Sequence, residues 1–93
     1  MTDARAREDA YRALFDAEFR RILGYALRRT ACATDAADVA AETFLVAWRR
    51  FDEVPAGAET RLWLYGVARR VLANHQRGEV RRERLGARFR DDL

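Results

Sequence analysis

A chain of 93 residues that is 49% apolar and 35% charged has material for one domain with a single modest core. An aromatic share of 11% sets it apart from disordered tails, and no apolar run approaches the length that crosses a bilayer. Cys32 is the only cysteine, which excludes an internal disulfide. The polar, charged start predicts neither a secretory signal nor a membrane anchor, so a cytoplasmic protein is expected.

The net charge of +3 hides an asymmetry. Up to Thr60 the acids slightly outnumber the bases, whereas Arg61 to Arg90 carries nine arginines against Glu79 and Glu83 alone. Such a basic segment is the electrostatic footprint of a polyanion partner. Every basic residue is arginine and none is lysine. That choice suits phosphate forks and base stacking, and equally suits a GC-rich genome.

Alternating β-branched runs are missing and helical spacing dominates, which predicts an all-α fold: a small bundle of three to four helices. The first helix is expected over about 9–30, where Tyr11, Leu14, Phe15, Phe19, Ile22, Leu23 and Ala26 form one apolar stripe. A tight turn over 31–34 follows. The second helix is expected over 35–51, capped by Thr34 or Asp35, with Asp38 in its first turn. Its stripe reads Ala37, Ala40, Ala41, Phe44, Trp48 and Phe51, with Leu45 alongside. Pro55 and Gly57 punctuate a loop over 52–59. The third helix is expected from Thr60, a cap, to about 77 or 78. It has an inner stripe of Leu64, Ala68, Val71, Leu72 and His75 and an outer face of Arg69, Arg70, Ala73, Asn74 and Arg77. Residues 1–78 are then one domain. Residues 79–93 are the basic start of a linker, a helical extension expected to fray or to dock elsewhere.

Catalytic chemistry finds no residues to work with. One histidine and one cysteine do not make a zinc site or a Cys–His pair, and neither a glycine-rich phosphate loop nor a nucleophile elbow occurs. No enzyme activity, metal or cofactor is expected, His75 reads as a core or boundary histidine, and Cys32 reads as a small helix-end residue. Binding chemistry remains. Arginines and Asn74 on the outer face of the third helix suit phosphates and bases. Trp63 and Tyr65 suit either core packing or stacking.

Two stretches carry a family pattern. Asp38-Val-Ala-Ala-Glu-Thr-Phe-Leu-Val-Ala-Trp-Arg-Arg-Phe51 resembles region 2.2 of sigma factors. Arg61-Leu-Trp-Leu-Tyr-Gly-Val-Ala-Arg-Arg-Val-Leu-Ala-Asn74 resembles regions 2.3 and 2.4 of the extracytoplasmic-function group of the sigma-70 family. The first helix is similar to region 2.1, and the flavour is that of high-GC actinobacterial members. The resemblance implies a transcription initiation domain that docks on core RNA polymerase, at the coiled coil of the β′ clamp. It would recognise and melt the promoter −10 element on the non-template strand. An anti-sigma factor is a further implied partner. The polymerase-facing residues it implies are Asp38, Glu42, Leu45 and Arg49. Base capture falls to the loop residues Val54, Pro55, Ala56, Gly57, Ala58 and Glu59. Contacts with DNA fall to Arg61, Trp63, Arg69, Arg70, Asn74 and Arg77.

Several positions depart from that pattern. Ala41 stands where many relatives carry Gln, which implies one weaker polymerase contact. Pro55-Ala56-Gly57 replaces the common loop start, so no base preference transfers. Arg70 stands where many members have Asn, which favours phosphate or guanine. Trp63-Leu64 stands where housekeeping members place adjacent tryptophans, which puts melting on the loop. Full members add a domain that reads the −35 element, and Leu93 falls where the linker to it would run. The alternative reading is a helical protein-interaction module that binds polymerase or an anti-sigma factor without promoter DNA selectivity.

Overall fold

A computed structural model describes residues 3–93, so the first two positions of the expected 1–78 domain lie outside the described residues. Three α-helices account for nearly all of it: α1 (Asp3–Leu27), α2 (Ala33–Arg49) and α3 (Glu59–Asp92), with a single 3-10 turn over Phe51–Glu53. Among the described residues there is no strand, and the all-α reading holds.

α1 buries the stripe that the sequence places there. Ile22 and Ala26 are closed off completely, and Tyr11, Leu14, Phe15, Phe19 and Leu23 pack around the core half-buried or nearly so. The core has two adjoining parts. Ile22, Ala40, Phe44, Ala47, Leu64 and Ala68 form one, and Ala26, Ala36, Val39 and Leu72 form the other. Alanines at 26, 36, 40, 47 and 68 let the helix backbones approach closely. Phe44 then fills the space that they leave, edge-on to Phe15 with ring centres 5.0 Å apart.

The helix ends differ from the sequence reading, each for a local reason. α1 begins six residues earlier than expected because Arg7 has partners. It donates to the Trp48 carbonyl (3.0 Å) and to Asp52 (3.2 Å), across the end of α2. The Trp48 carbonyl stands in the last turn of α2, where carbonyls lack intrahelical partners, and a cation there also suits the helix dipole. α1 ends at Leu27, three residues early. Arg28 and Arg29 turn back onto Gly24 and Ala26, and the Thr30 hydroxyl donates to the Ala26 carbonyl at 2.8 Å.

α2 begins two residues before its expected start at 35. Its N-cap is Cys32 in extended backbone with no side-chain bond, so neither Thr34 nor Asp35 caps it. Asp35, not Asp38, occupies the acidic first turn. The α2 stripe is also rotated: Ala36, Val39 and Thr43 are buried, whereas Ala37 and Ala41 are exposed. Thr43 is tolerated inside because its hydroxyl donates to the Val39 carbonyl at 2.7 Å. Phe51 leaves α2 for the 3-10 turn, where Arg50 clamps Glu53 at 2.8 and 3.0 Å.

Thr60 is not the cap of α3. The helix opens at Glu59, and the Thr60 hydroxyl reaches back to the Pro55 carbonyl instead. Nor does α3 stop near 78. It runs on to Asp92 without a break, about 51 Å at the usual helical rise. All of its buried residues (Leu64, Val67, Ala68 and Leu72) lie in its first half. The second half stands away from the bundle, and the molecule measures 60 × 28 × 18 Å.

Candidate nucleic-acid and polymerase interface

The outer face of α3 follows from its spacing. Arg69, Arg70, Asn74 and Arg77 are all exposed, and an Arg77 guanidinium nitrogen donates to the Asn74 amide oxygen. The face does not end at Arg77. Arg70, Arg77, Arg81, Arg84 and Arg88 recur at steps of seven, four, three and four, so they share one side of the helix. Glu79 and Glu83 fall towards the opposite side. Sequence reasoning took 79–93 as a helical extension at the start of a linker and did not carry the arginine face into it. The signal was the unbroken arginine spacing.

The loop ahead of α3 is held at both ends and open in the middle. Val54 and Pro55 are half-buried, and the Val54 amide donates to the Phe51 carbonyl at 3.1 Å. Ala56, Gly57, Ala58 and Glu59 are exposed. Gly57 adopts φ +71°, the left-handed region that a side chain at this position would strain. Two small clefts flank the loop. One, of about 360 Å³, is bordered by Glu18, Gly57, Arg61 and Leu62, and the other, of about 260 Å³, by Leu14, Phe51, Val54 and Pro55.

Arg61 and Trp63 are less free than the outer arginines. The Arg61 guanidinium forks onto Glu18 of α1, at 2.8 Å from Nε and 3.2 Å from Nη2. That bond holds Arg61 above its ordinary pKa. Glu18 is only 7% exposed, a buried carboxylate that the sequence reading did not single out. The pair ties α1 to the start of α3 and forms one wall of the loop cleft. Trp63 is half-buried against the core, with the Arg50 guanidinium 5.7 Å from its ring centre. Leu64 is fully buried. The large apolar side chain presented beside the loop is instead Leu62, 71% exposed, which the sequence reading did not single out.

The set that the resemblance assigns to polymerase lies on α2. Asp38, Glu42, Leu45 and Arg49 are exposed and follow one another at steps of four, three and four, one stripe along the helix. Asp38 and Glu42 form one wall of a cleft of about 240 Å³ whose other wall is Val71, Asn74 and His75 of α3. The acidic positions and Asn74 therefore meet across one groove. Leu45 belongs to a different cleft, about 460 Å³, between α1 and α2 with Tyr11, Phe15 and Trp48. The Tyr11 hydroxyl donates to the Phe44 carbonyl at 2.7 Å, and burial pushes its phenol up.

Where sequence reasoning saw no ligand cluster, the fold brings one together. Asp35 of α2 meets His75 and Glu79 of α3, with all three ligand atoms within 4.8 Å of one another. The expected separation of these residues along the chain hid them. Among the described residues no helix is long and apolar enough to cross a membrane.

Comparison with known proteins gives this arrangement a family. The family model described as Sigma-70 region 2 matches residues 14–82. The chain is 38% identical over 93 residues to "ECF RNA polymerase sigma factor SigL" of Mycobacterium tuberculosis, in strains H37Rv, Erdman and CDC 1551. That alignment takes in 98% of the chain and 48% of the relative, so the chain spans about half the length of the curated relatives it matches. No solved structure gave a significant match. The chain belongs to the sigma-70 region 2 family, and its likeness, over nearly its whole length, is to the extracytoplasmic-function branch.

Proposed function

We propose that this chain serves transcription initiation as the part of a sigma factor that docks on core RNA polymerase and opens the −10 element. The observation that carries the reading is two exposed charge patterns on neighbouring helices of one bundle. Asp38 and Glu42 mark α2, while Arg69, Arg70 and Arg77 mark α3, with an open loop ahead of α3. The α2 stripe docks on the coiled coil of the β′ clamp. The loop over 54–59 receives an extruded base of the non-template strand, in the clefts beside Gly57 and Pro55. Arginines of α3 hold the backbone of the duplex edge.

The energetics favour such a division. Extruding a base costs on the order of a few kcal/mol. Enclosing it and releasing counterions from phosphates can offset that cost. None of these steps needs a catalytic group. Leu62, exposed beside the loop, adds an apolar contact for the last paired base, a role that half-buried Trp63 is less free to fill.

The cleft of α1 and α2 around Leu45 favours a second reading, in which the chain binds polymerase or an anti-sigma factor and does not select promoter DNA. Mixing the purified chain with core polymerase and fluorescent −10 non-template oligonucleotides separates the two. The proposal expects polymerase-dependent binding that falls when the −10 sequence is scrambled. Polymerase binding with no preference among oligonucleotides would sink it.

A further inference from the structure

We propose that Asp35, His75 and Glu79 form a site for a divalent transition-metal ion of the zinc class, at the junction of α2 and α3. His75 and Glu79 are one turn apart on α3, and both face the first turn of α2, where Asp35 stands. His75 Nε2 is 3.3 Å from Glu79 Oε1 and 3.7 Å from Asp35 Oδ1. Nε2 is also closed off from solvent, and it has no hydrogen-bond partner.

That combination asks for a cation. Nε2 faces two carboxylate oxygens and makes a well-formed hydrogen bond to neither. A buried polar atom left in this state is costly. A metal ion between the three groups removes the conflict, because all three then donate to it.

The spacing fits. Metal–ligand distances of about 2.0–2.2 Å in a tetrahedral site put neighbouring ligand atoms roughly 3.3–3.6 Å apart. Small side-chain adjustments bring Asp35 and Glu79 to that separation. The donor set decides the class of ion. One imidazole with two carboxylates suits zinc, cobalt or manganese, whereas magnesium and calcium take oxygen ligands. Three protein ligands leave a fourth position for water or a partner's side chain. The side chains of Asp35, His75 and Glu79 are 25%, 20% and 39% exposed, so movement of these side chains alone opens Nε2 to an ion.

The position gives the site a consequence. Leu72 is the last residue of α3 buried in the core, and His75 and Glu79 follow it within two turns. An ion held there fixes the direction in which the second half of α3 leaves the bundle.

The test uses the tag-free chain, stripped with a chelator and titrated with cobalt and then zinc. Cobalt is expected to give the visible absorption of a four- or five-coordinate site, zinc to displace it, and zinc to raise the melting temperature. Asp35→Asn and Glu79→Gln, both near-isosteric and at the surface, are expected to weaken cobalt binding by at least about tenfold while leaving the metal-free melting temperature close to the parent's. Equal binding by the parent and both variants overturns the site. So does the absence of any cobalt spectrum. Stabilisation by mild acid without a cobalt signal also overturns it, and assigns the cluster to a proton shared between His75 and the carboxylates.

Discussion

The two halves of α3 are one helix under two regimes. From Glu59 to about Leu72 the helix is held by what it buries: Leu64, Val67, Ala68 and Leu72 lock into α1 and α2. Beyond Gly78 it buries nothing, and Val80, Leu85 and Phe89 stay exposed, Phe89 at 69%. The second half stands on the intrinsic helix propensity of Arg, Glu, Ala and Leu and on continuity with a helix already nucleated. The contrast shows how one element can anchor a fold at one end and present charge at the other. Burial sets where the helix points, and the unburied half is then free to carry a surface pattern.

The comparison can be broken or sharpened in order of effect. Leu64→Ala removes a fully buried side chain from the anchoring half and is expected to cost about 2–5 kcal/mol, read from the urea midpoint. A loss below about 1 kcal/mol would mean that the anchor is not in the core. Arg61→Ala leaves Glu18 nearly buried with only Arg21, 3.7 Å away. Since Arg61 is half exposed and solvent screens the pair, the expected drop in the urea midpoint is smaller than for Leu64→Ala. Gly86→Ala should act only on the projecting half. The added Cβ meets no more than the flexible Arg90 side chain at 3.5 Å, and a gain of up to about 1 kcal/mol in helix propensity slows amide exchange in that half several-fold. Unchanged exchange would show that its helix is held by something other than propensity. Arg81→Ala, Arg84→Ala and Arg88→Ala together should move global stability by no more than about 0.5 kcal/mol. The same triple is expected to reduce the salt slope of DNA binding by about 2–3, measured by fluorescence anisotropy across salt concentrations. An unchanged slope would confine the DNA-facing surface to Arg69–Arg77.

The anchoring half was largely legible in the sequence and the projecting half was not. The stripe of α1 reads directly, because large residues at three- and four-residue steps leave one choice of face. α2 reads less well. Alanines stand at 36, 37, 40 and 41, so small residues mark both sides, and the face is decided only when Phe44 and Val39 find their neighbours. The end of α3 was hidden for a different reason: a helix that buries nothing has no apolar stripe to read. Of the interface, the exposure of Asp38, Glu42, Arg69, Arg70, Asn74 and Arg77 follows from periodicity. The Arg61–Glu18 fork and the Asp35–His75–Glu79 cluster do not, since they join residues about forty positions apart. Thr60 shows the limit of capping rules. Its hydroxyl had a nearer use in closing the loop onto Pro55.

The matched family span begins at residue 14, yet Arg7 and Tyr11 are joined to the last turns of α2 through the Trp48 and Phe44 carbonyls. A minimal piece cut at residue 14 would strip the Trp48 carbonyl of its donor, take a second donor from the Phe44 carbonyl and uncover the Trp48 ring, over which Arg7 lies at 5.2 Å. The early turns of α1 therefore belong to the packed bundle, upstream of the span that the family model matches.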